Sequence, residues 1–274
     1  MALNETAIIR KRPNPIGVIW GHPLVQAFFN DRITLLSATF LLLIIIAAIF
    51  APFVAPHDPE DQQIRLRHLG PLSTGIAVDD TVSPPEKHER FFLLGTDHLG
   101  RDYLSRLIYG GRISISVGLL GVLVSSIIGV FLGVVAGFYR GILDDVIMRA
   151  VDVFMAVPLL LLALIVLFIL GPSFTNIIIV FAIGRWMLFC RVTRGMVLSL
   201  KEQAFVDAAV ATGCSDYRIM VKHVVPNLIT PVLTLAALGV PQNILTESTL
   251  SFLGFGIQPP DSSWGLMLSQ GRQY

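Results

Sequence analysis

Five long runs of apolar residues interrupt this chain, and no water-soluble fold can hide that much uncharged surface. A helix rises ~1.5 Å per residue and the hydrocarbon core is ~30 Å thick, so ~20 apolar residues suffice for one crossing. The run Ile33–Val54 has 22 residues and no charge. Its polar lead of 32 residues and its long apolar core argue for a retained span rather than a secretory signal. Ile113–Tyr139 follows with 27 uncharged residues, long enough to cross with tilt. Val153–Leu170 is interrupted by Pro158, which predicts a kink, and is stopped by Gly171-Pro172. Asn176–Cys190 is apolar except for Arg185. Val224–Thr246 begins around Pro226, and Pro231 and Pro241 predict breaks within it. The expected fold class is therefore all-α, a polytopic membrane helical bundle with five spans.

Composition agrees. Hydrophobic residues form 54% of the 274 and charged residues 14%, against roughly 25% charged in a soluble domain. The 20 basic residues nearly balance 19 acidic ones, which excludes a strongly basic nucleic-acid binder. Only Lys11, Lys87, Lys201 and Lys222 are lysines, and none follows a GxxxxG run, so a phosphate-binding P-loop is absent. Any ATP must be bound by another chain. Cys190 and Cys214 are too few for a disulfide framework. Four of the six histidines, His57, His68, His88 and His98, share one polar stretch with no metal-ligand spacing, so a solvated loop is the expectation there. No HExxH or GxSxG occurs, and no metal or catalytic residue is assigned.

Between the spans lie a 58-residue polar stretch, Ala55–Arg112, a short loop at Arg140–Arg149, and a 33-residue stretch, Arg191–His223. A tail follows from Glu247. With the N-terminus inside, eleven basic residues, Arg10, Lys11 and Arg12 among them, fall inside and eight outside, the positive-inside sign. Gly129, Gly133 and Gly137 recur every fourth residue, a face that permits close helix approach, expected within the chain rather than between chains.

The segment Lys201–Asn227 reads as two short amphipathic helices. Phe205, Ala208, Ala209 and Thr212 mark one face, and Tyr217, Met220, Val221 and Val224 another. Gly213 supplies the corner, Ser215 can cap the second helix, and Pro226 closes the unit. An apolar surface between membrane spans wants a partner.

The pattern Asp207-Ala208-Ala209, three residues, Gly213, nine residues, His223-x-Val225-Pro226 resembles the EAA loop of bacterial ABC importer permeases. Asp stands where that family has Glu, and His223 and Val225 replace Ile and Leu. The stretch LGTDHLGRDYLSRLIYGGR, Leu94–Arg112, is similar to the signature of the C-type permease of dipeptide, oligopeptide and nickel importers. So is SFLGFGIQPPDSSWGLML, Ser251–Leu268, and Gly141–Asp152 with Pro158 matches the family's G-x-x-D…MR-x-x-D…P order.

The resemblance, over about residues 33 to 274, implies a type I ABC importer permease fold. Residues 1–111 would hold a cytoplasmic segment, the first span and a long extracytoplasmic loop. Residues 112–274 would hold the transmembrane domain, with its coupling loop at about 201–226. It implies a multi-pass protein of the bacterial plasma (inner) membrane with a cytoplasmic N-terminus. Its partners would be the lipid bilayer, a homologous B-type permease, two ABC ATPase subunits and an extracytoplasmic substrate-binding protein. No cofactor would be bound by this chain, since ATP and Mg would be used by the ATPase subunits. Asp207, Ala208, Ala209, Gly213, His223 and Pro226 would couple to the ATPases, with import of peptides by alternating access.

Nickel and glutathione remain as cargoes, and a secondary transporter or structural membrane protein as readings of another class. Asp97, Arg101 and Asp102, in a Gly/Asp/Arg cluster, are either a capped interfacial turn or a vestibule and partner contact. Arg185 costs at least ~2.5 kcal/mol near mid-span, so it should face either a cargo carboxylate or an acid of the sister permease. Related permeases continue with about one further span, so a missing sixth helix is expected beyond Tyr274, and the Gly129/Gly133/Gly137 face would lack a partner without it.

Overall fold

A computed structural model describes residues 29–79 and 86–272 of the chain. The basic residues Arg10, Lys11 and Arg12 and the terminal Tyr274 lie outside them. Two compact units divide the chain, Met1–Ala47 and Ala48–Tyr274. The described part of the first is helix α1, Arg32–Ile49, which runs two residues past the boundary. Asp31 starts it, accepting hydrogen bonds from Ile33 N at 3.1 Å and from the Thr34 hydroxyl. Its own side chains are mostly apolar on every face, and almost none is buried, which suits a lipid-facing span.

In the second unit a short helix α2, Ala51–Val54, follows. The run Ile33–Val54 is thus two helices, not one. Pro52 lies in the first turn of α2, where its missing N–H costs nothing, whereas a continuous helix would drive its ring into the carbonyl four residues back. The polar stretch beyond is not helical. It holds an antiparallel hairpin, β1 Ser73–Asp79 and β2 Glu86–Phe92, paired from Ser73↔Phe92 to Asp79↔Glu86. Ala77 and Phe92 bury with Leu66, so this loop carries its own small core and qualifies the all-α expectation.

Helix α3, Tyr103–Tyr139, begins ten residues before the apolar run. Asp102 caps it, accepting from Ser105 N at 2.8 Å. The 111/112 domain boundary therefore falls inside a continuous helix. Helix α4, Gly141–Met155, occupies what the sequence suggested was a short loop at Arg140–Arg149. Helix α5, Leu159–Leu170, follows a break at which the chain bends by 85°. Pro158 thus does more than kink one helix: it separates two.

Helix α6, Phe174–Lys201, extends eleven residues beyond Cys190. Its added turns are polar but paired: Arg194 Nη2 reaches Asp144 Oδ2 at 2.6 Å, and Arg191 pairs with Asp152. Both acids belong to α4, so the G-x-x-D…MR-x-x-D pattern has a structural use. The glycine face of α3 packs on α6. A Cβ at Gly129 would sit 2.3 Å from Trp186 O, one at Gly133 2.6 Å from Cys190 O, and one at Gly137 2.8 Å from Val197 Cβ. That face packs within the chain, the intramolecular reading of the stripe, and its partner is α6 rather than a further helix.

After the loop helices α7, Ala204–Ala211, and α8, Asp216–Ile219, a π turn at Met220–Val224 leads into α9, Val225–Phe252. Helix α10, Trp264–Gly271, lies near the end of the chain. Pro231 and Pro241 sit inside α9 without breaking it, as intramembrane prolines often do when neighbouring groups satisfy the freed carbonyls. Among the described residues, four helices are long and apolar enough to cross a membrane, and the bent α4–α5 pair makes a fifth if counted as one span. The core between them joins Val117 of α3, Ala163 and Leu167 of α5, Ile177, Val180 and Phe181 of α6, and Leu250 of α9.

Candidate functional site

The loop at 201–226 starts where α6 ends. Lys201 Nζ donates to Phe138 O at 2.6 Å, which satisfies a carbonyl in the last turn of α3. In α7, Val206 and Ala209 turn inward onto Val134, Phe138, Val197, Ile219 and Leu228. Asp207 and Ala208 face outward, as do Phe205 and Thr212. The face expected from Phe205, Ala208, Ala209 and Thr212 is therefore split, because α7 packs through the Val206/Ala209 stripe. Thr212 Oγ1 back-bonds to Ala209 O at 2.9 Å, ending the helix.

Gly213 then takes φ +76°, with open space around its Cβ position. Backbone conformation alone, not crowding, demands glycine there. Ser215 occupies the N-cap position of α8 but makes no side-chain capping bond. Tyr217 stands 72% exposed, while Ile219 and Val224 are buried. His223 is half-buried, and its carbonyl accepts from Asn227 Nδ2 at 2.6 Å. Pro226 does not close the unit. It falls in the first turn of α9, and the residues Asp216–Phe252 form one helical rod of 37 residues. Because Pro226 has no N–H for the carbonyl of Lys222, the turn before it widens, and Val225 N bonds Met220 O, five residues back. Between this rod and α3 lies an apolar hollow of about 490 Å³, bordered by Phe131, Val134, Tyr217 and Val221.

At the N-terminal end of α3, Asp97, Arg101, Asp102 and Arg106 are 8, 3, 2 and 1% exposed. Asp97 Oδ1 accepts from Leu99 N at 2.8 Å and Arg101 N at 3.0 Å; Oδ2 accepts from Arg101 Nε at 2.8 Å and from Arg106 Nη1. Arg106 Nε reaches Ser262 Oγ at 3.2 Å, tying α3 to the segment before α10. Burial pushes the Asp97 carboxyl up, but the Arg101 and Leu99 N–H groups and the two guanidiniums outweigh it, so it titrates below the usual 3.8. Both Asp97 oxygens are satisfied, while Arg101 Nη2, Arg106 Nη2 and Asp102 Oδ1 are buried without a hydrogen-bond partner.

Arg185 lies midway along α6, half-buried. Its Nη1 donates to Gln242 Oε1 at 2.8 Å and its Nη2 to Thr246 Oγ1 at 3.4 Å, both on α9. One residue further, Glu247 is fully buried inside α9 rather than in an outer tail. Ser251 Oγ donates to its Oε1 at 2.7 Å and Ser114 Oγ to its Oε2 at 3.3 Å. Sequence reasoning missed this carboxylate because the apolar run was cut just before it. A helical extension through Leu250, itself apolar, was the available signal. Among the described residues no group of three or more His, Cys, Asp or Glu side chains gathers to hold a metal.

The model for binding-protein-dependent transport system inner membrane components matches residues 129–272, more than half of the chain. The chain belongs to this family. A second model, the N-terminal TM domain of oligopeptide transport permease C, matches residues 23–71. The di/tripeptide transport system permease protein DppC of Pseudomonas aeruginosa is 38% identical over 265 residues, 96% of this chain and 81% of that protein. The dipeptide transport system permease protein DppC of Haemophilus influenzae is 33% identical, covering 99% and 87%. The glutathione transport system permease protein GsiD of Escherichia coli is 34% identical, covering 99% and 83%. In fold, the chain is similar to the inward-facing MetNI methionine ABC transporter, with TM-score 0.51 and 17% identity over 61% of this chain and 81% of that one. This permease is thus a C-type subunit of the dipeptide/oligopeptide ABC importer family. It is a multi-pass inner-membrane transport component, not an enzyme, and membership implies ATPase and permease partners.

Proposed function

We propose that this permease forms half of the translocation pathway of an ATP-driven importer of di- or oligopeptides, paired with a homologous B-type permease. Its N-terminus is cytoplasmic, and two ATPase subunits, which bind ATP and Mg, receive its 201–226 loop. A substrate-binding protein, periplasmic or lipid-anchored, delivers cargo from the other side, where Ala55–Arg112 lies. The observation that carries this reading is the continuity of α8, the π turn and α9. A displacement of the exposed α7–Gly213 corner passes along one rod directly into a membrane span. ATP binding brings the ATPase subunits together, the loops move with them, and the bundle opens outward; hydrolysis resets it. Each ligand shifts this equilibrium only by its differential affinity for the two states.

Glutathione is the second cargo, favoured by the 34% identity to glutathione permeases over 99% of the chain. The test is uptake of labelled dipeptides, tripeptides and glutathione by the complete complex in proteoliposomes, with and without ATP. ATP-dependent uptake of one class supports the reading, and uptake driven by a proton gradient without ATP overturns it.

A further inference from the structure

Arg191 and Arg194 of α6 each pair with an aspartate of α4. Arg185, two turns earlier on the same helix, does not. Among the described residues no carboxylate comes within ion-pair distance of it. Its two hydrogen-bond partners, Gln242 and Thr246, are neutral, and its Nε–H is shielded from solvent with no acceptor. A guanidinium within a membrane span faces the bundle interior or a water-filled cavity and marks a candidate pathway site. Gln242 meets it through Oε1, which leaves the two amide N–H donors of Gln242 available.

Two hollows flank this group. One, about 360 Å³, is bordered by Arg185, Gly184, Pro158 and Leu159; the other, about 310 Å³, by Leu159, Leu160, Thr246 and Thr249. Leu159 borders both, and it opens α5 after the 85° break. The first N–H groups of a helix have no acceptor within it and carry the positive end of its dipole. The start of α5 and the Arg185 guanidinium thus border one hollow, and the Gln242 amide meets that guanidinium from α9.

We infer that Arg185, Gln242 and the first turn of α5 form an anion-receiving point on the passage, and that its ligand is the free carboxylate of the cargo. This rests on the peptide-import reading: di- and tripeptides and glutathione all carry that group. Arg185 holds the carboxylate as it leaves the binding protein, and the two hollows take the apolar remainder on either side.

The experiment uses the complete complex with its binding protein in proteoliposomes, and the probes are trialanine and trialanine amide. Arg185→Gln should lower trialanine uptake roughly tenfold, the effect of one lost charge-assisted bond, while leaving the amide within about twofold. Gln242→Glu, which fills the site with a carboxylate of its own, should do the same, and Arg185→Lys should recover part of the loss. Equal loss for both probes, with the B-type permease falling away from the purified complex, would assign Arg185 to a structural acid on that subunit and overturn the proposal. Unchanged uptake would overturn it too. A wild-type complex that moves neither probe with ATP rejects the import reading itself, and the inference with it.

Discussion

Gly213 is the residue whose role depends least on its neighbours. Its φ of +76° lies where a β-branched side chain is strained, and nothing within 4 Å competes for the space. Gly213→Val should therefore leave membrane insertion intact but uncouple ATP hydrolysis from uptake. Gly213→Asn, which tolerates that backbone region, should retain most transport. The check is uptake by the complex together with co-purification of the ATPase. Normal uptake in the valine variant would remove Gly213 from the coupling corner.

Asp97 acts by charge. Its carboxyl titrates below 3.8, so the stability it contributes is fully present above that value and is lost as pH falls through the folded value. Asp97→Asn should lower stability at neutral pH by about 3 kcal/mol, since it leaves two buried guanidiniums uncompensated. The variant's acid unfolding below pH ~4 should also be flatter than that of the wild type. Denaturant titration at neutral and at acidic pH separates the two effects.

At the scale of elements, the pair α3–α6 dominates, and its spacing is set by backbone contact. A methyl group at Gly129 would meet the Trp186 carbonyl at 2.3 Å, and a carbonyl in a helix cannot step aside. Gly129→Ala should cost roughly 1–3 kcal/mol through overpacking. Gly195, in the C-terminal half of α6 with nothing within 4 Å, is the control: Gly195→Ala should be neutral or stabilise by about 0.5–1 kcal/mol. Thermal or SDS-induced unfolding of the purified chain reads both. The period of four made a close-packed face legible in the sequence, but not the helix that meets it. The prolines of α9 misled in the opposite direction, because a membrane helix runs through a proline where neighbouring groups satisfy the freed carbonyls. Pro158 and Pro52 instead stand at helix starts, where the missing N–H costs nothing.

For the whole molecule, the missing P-loop gives the plainest expectation. The purified chain should bind and hydrolyse no ATP, and activity should appear only with the ATPase subunits, as read by nucleotide binding and phosphate release. Hydrolysis by the isolated chain, free of contaminating ATPase, would remove the assignment altogether.

Sequence alone determined the membrane class, the approximate spans, the family motifs and their order, and the loop with its glycine corner. All of these are local in the chain, where apolar run length and residue spacing act directly. Tertiary structure alone decided which face each helix turns inward. Val206 rather than Phe205 packs, Glu247 is enclosed rather than exposed, and Asp97 is buried against Arg101 and Arg106. Arg106 meets Ser262 across 156 residues, and Ser114 meets Glu247 across 133. Such partners are chosen by helix packing in three dimensions, where the rotation of each rod about its axis, invisible in a one-dimensional apolar run, sets who faces whom.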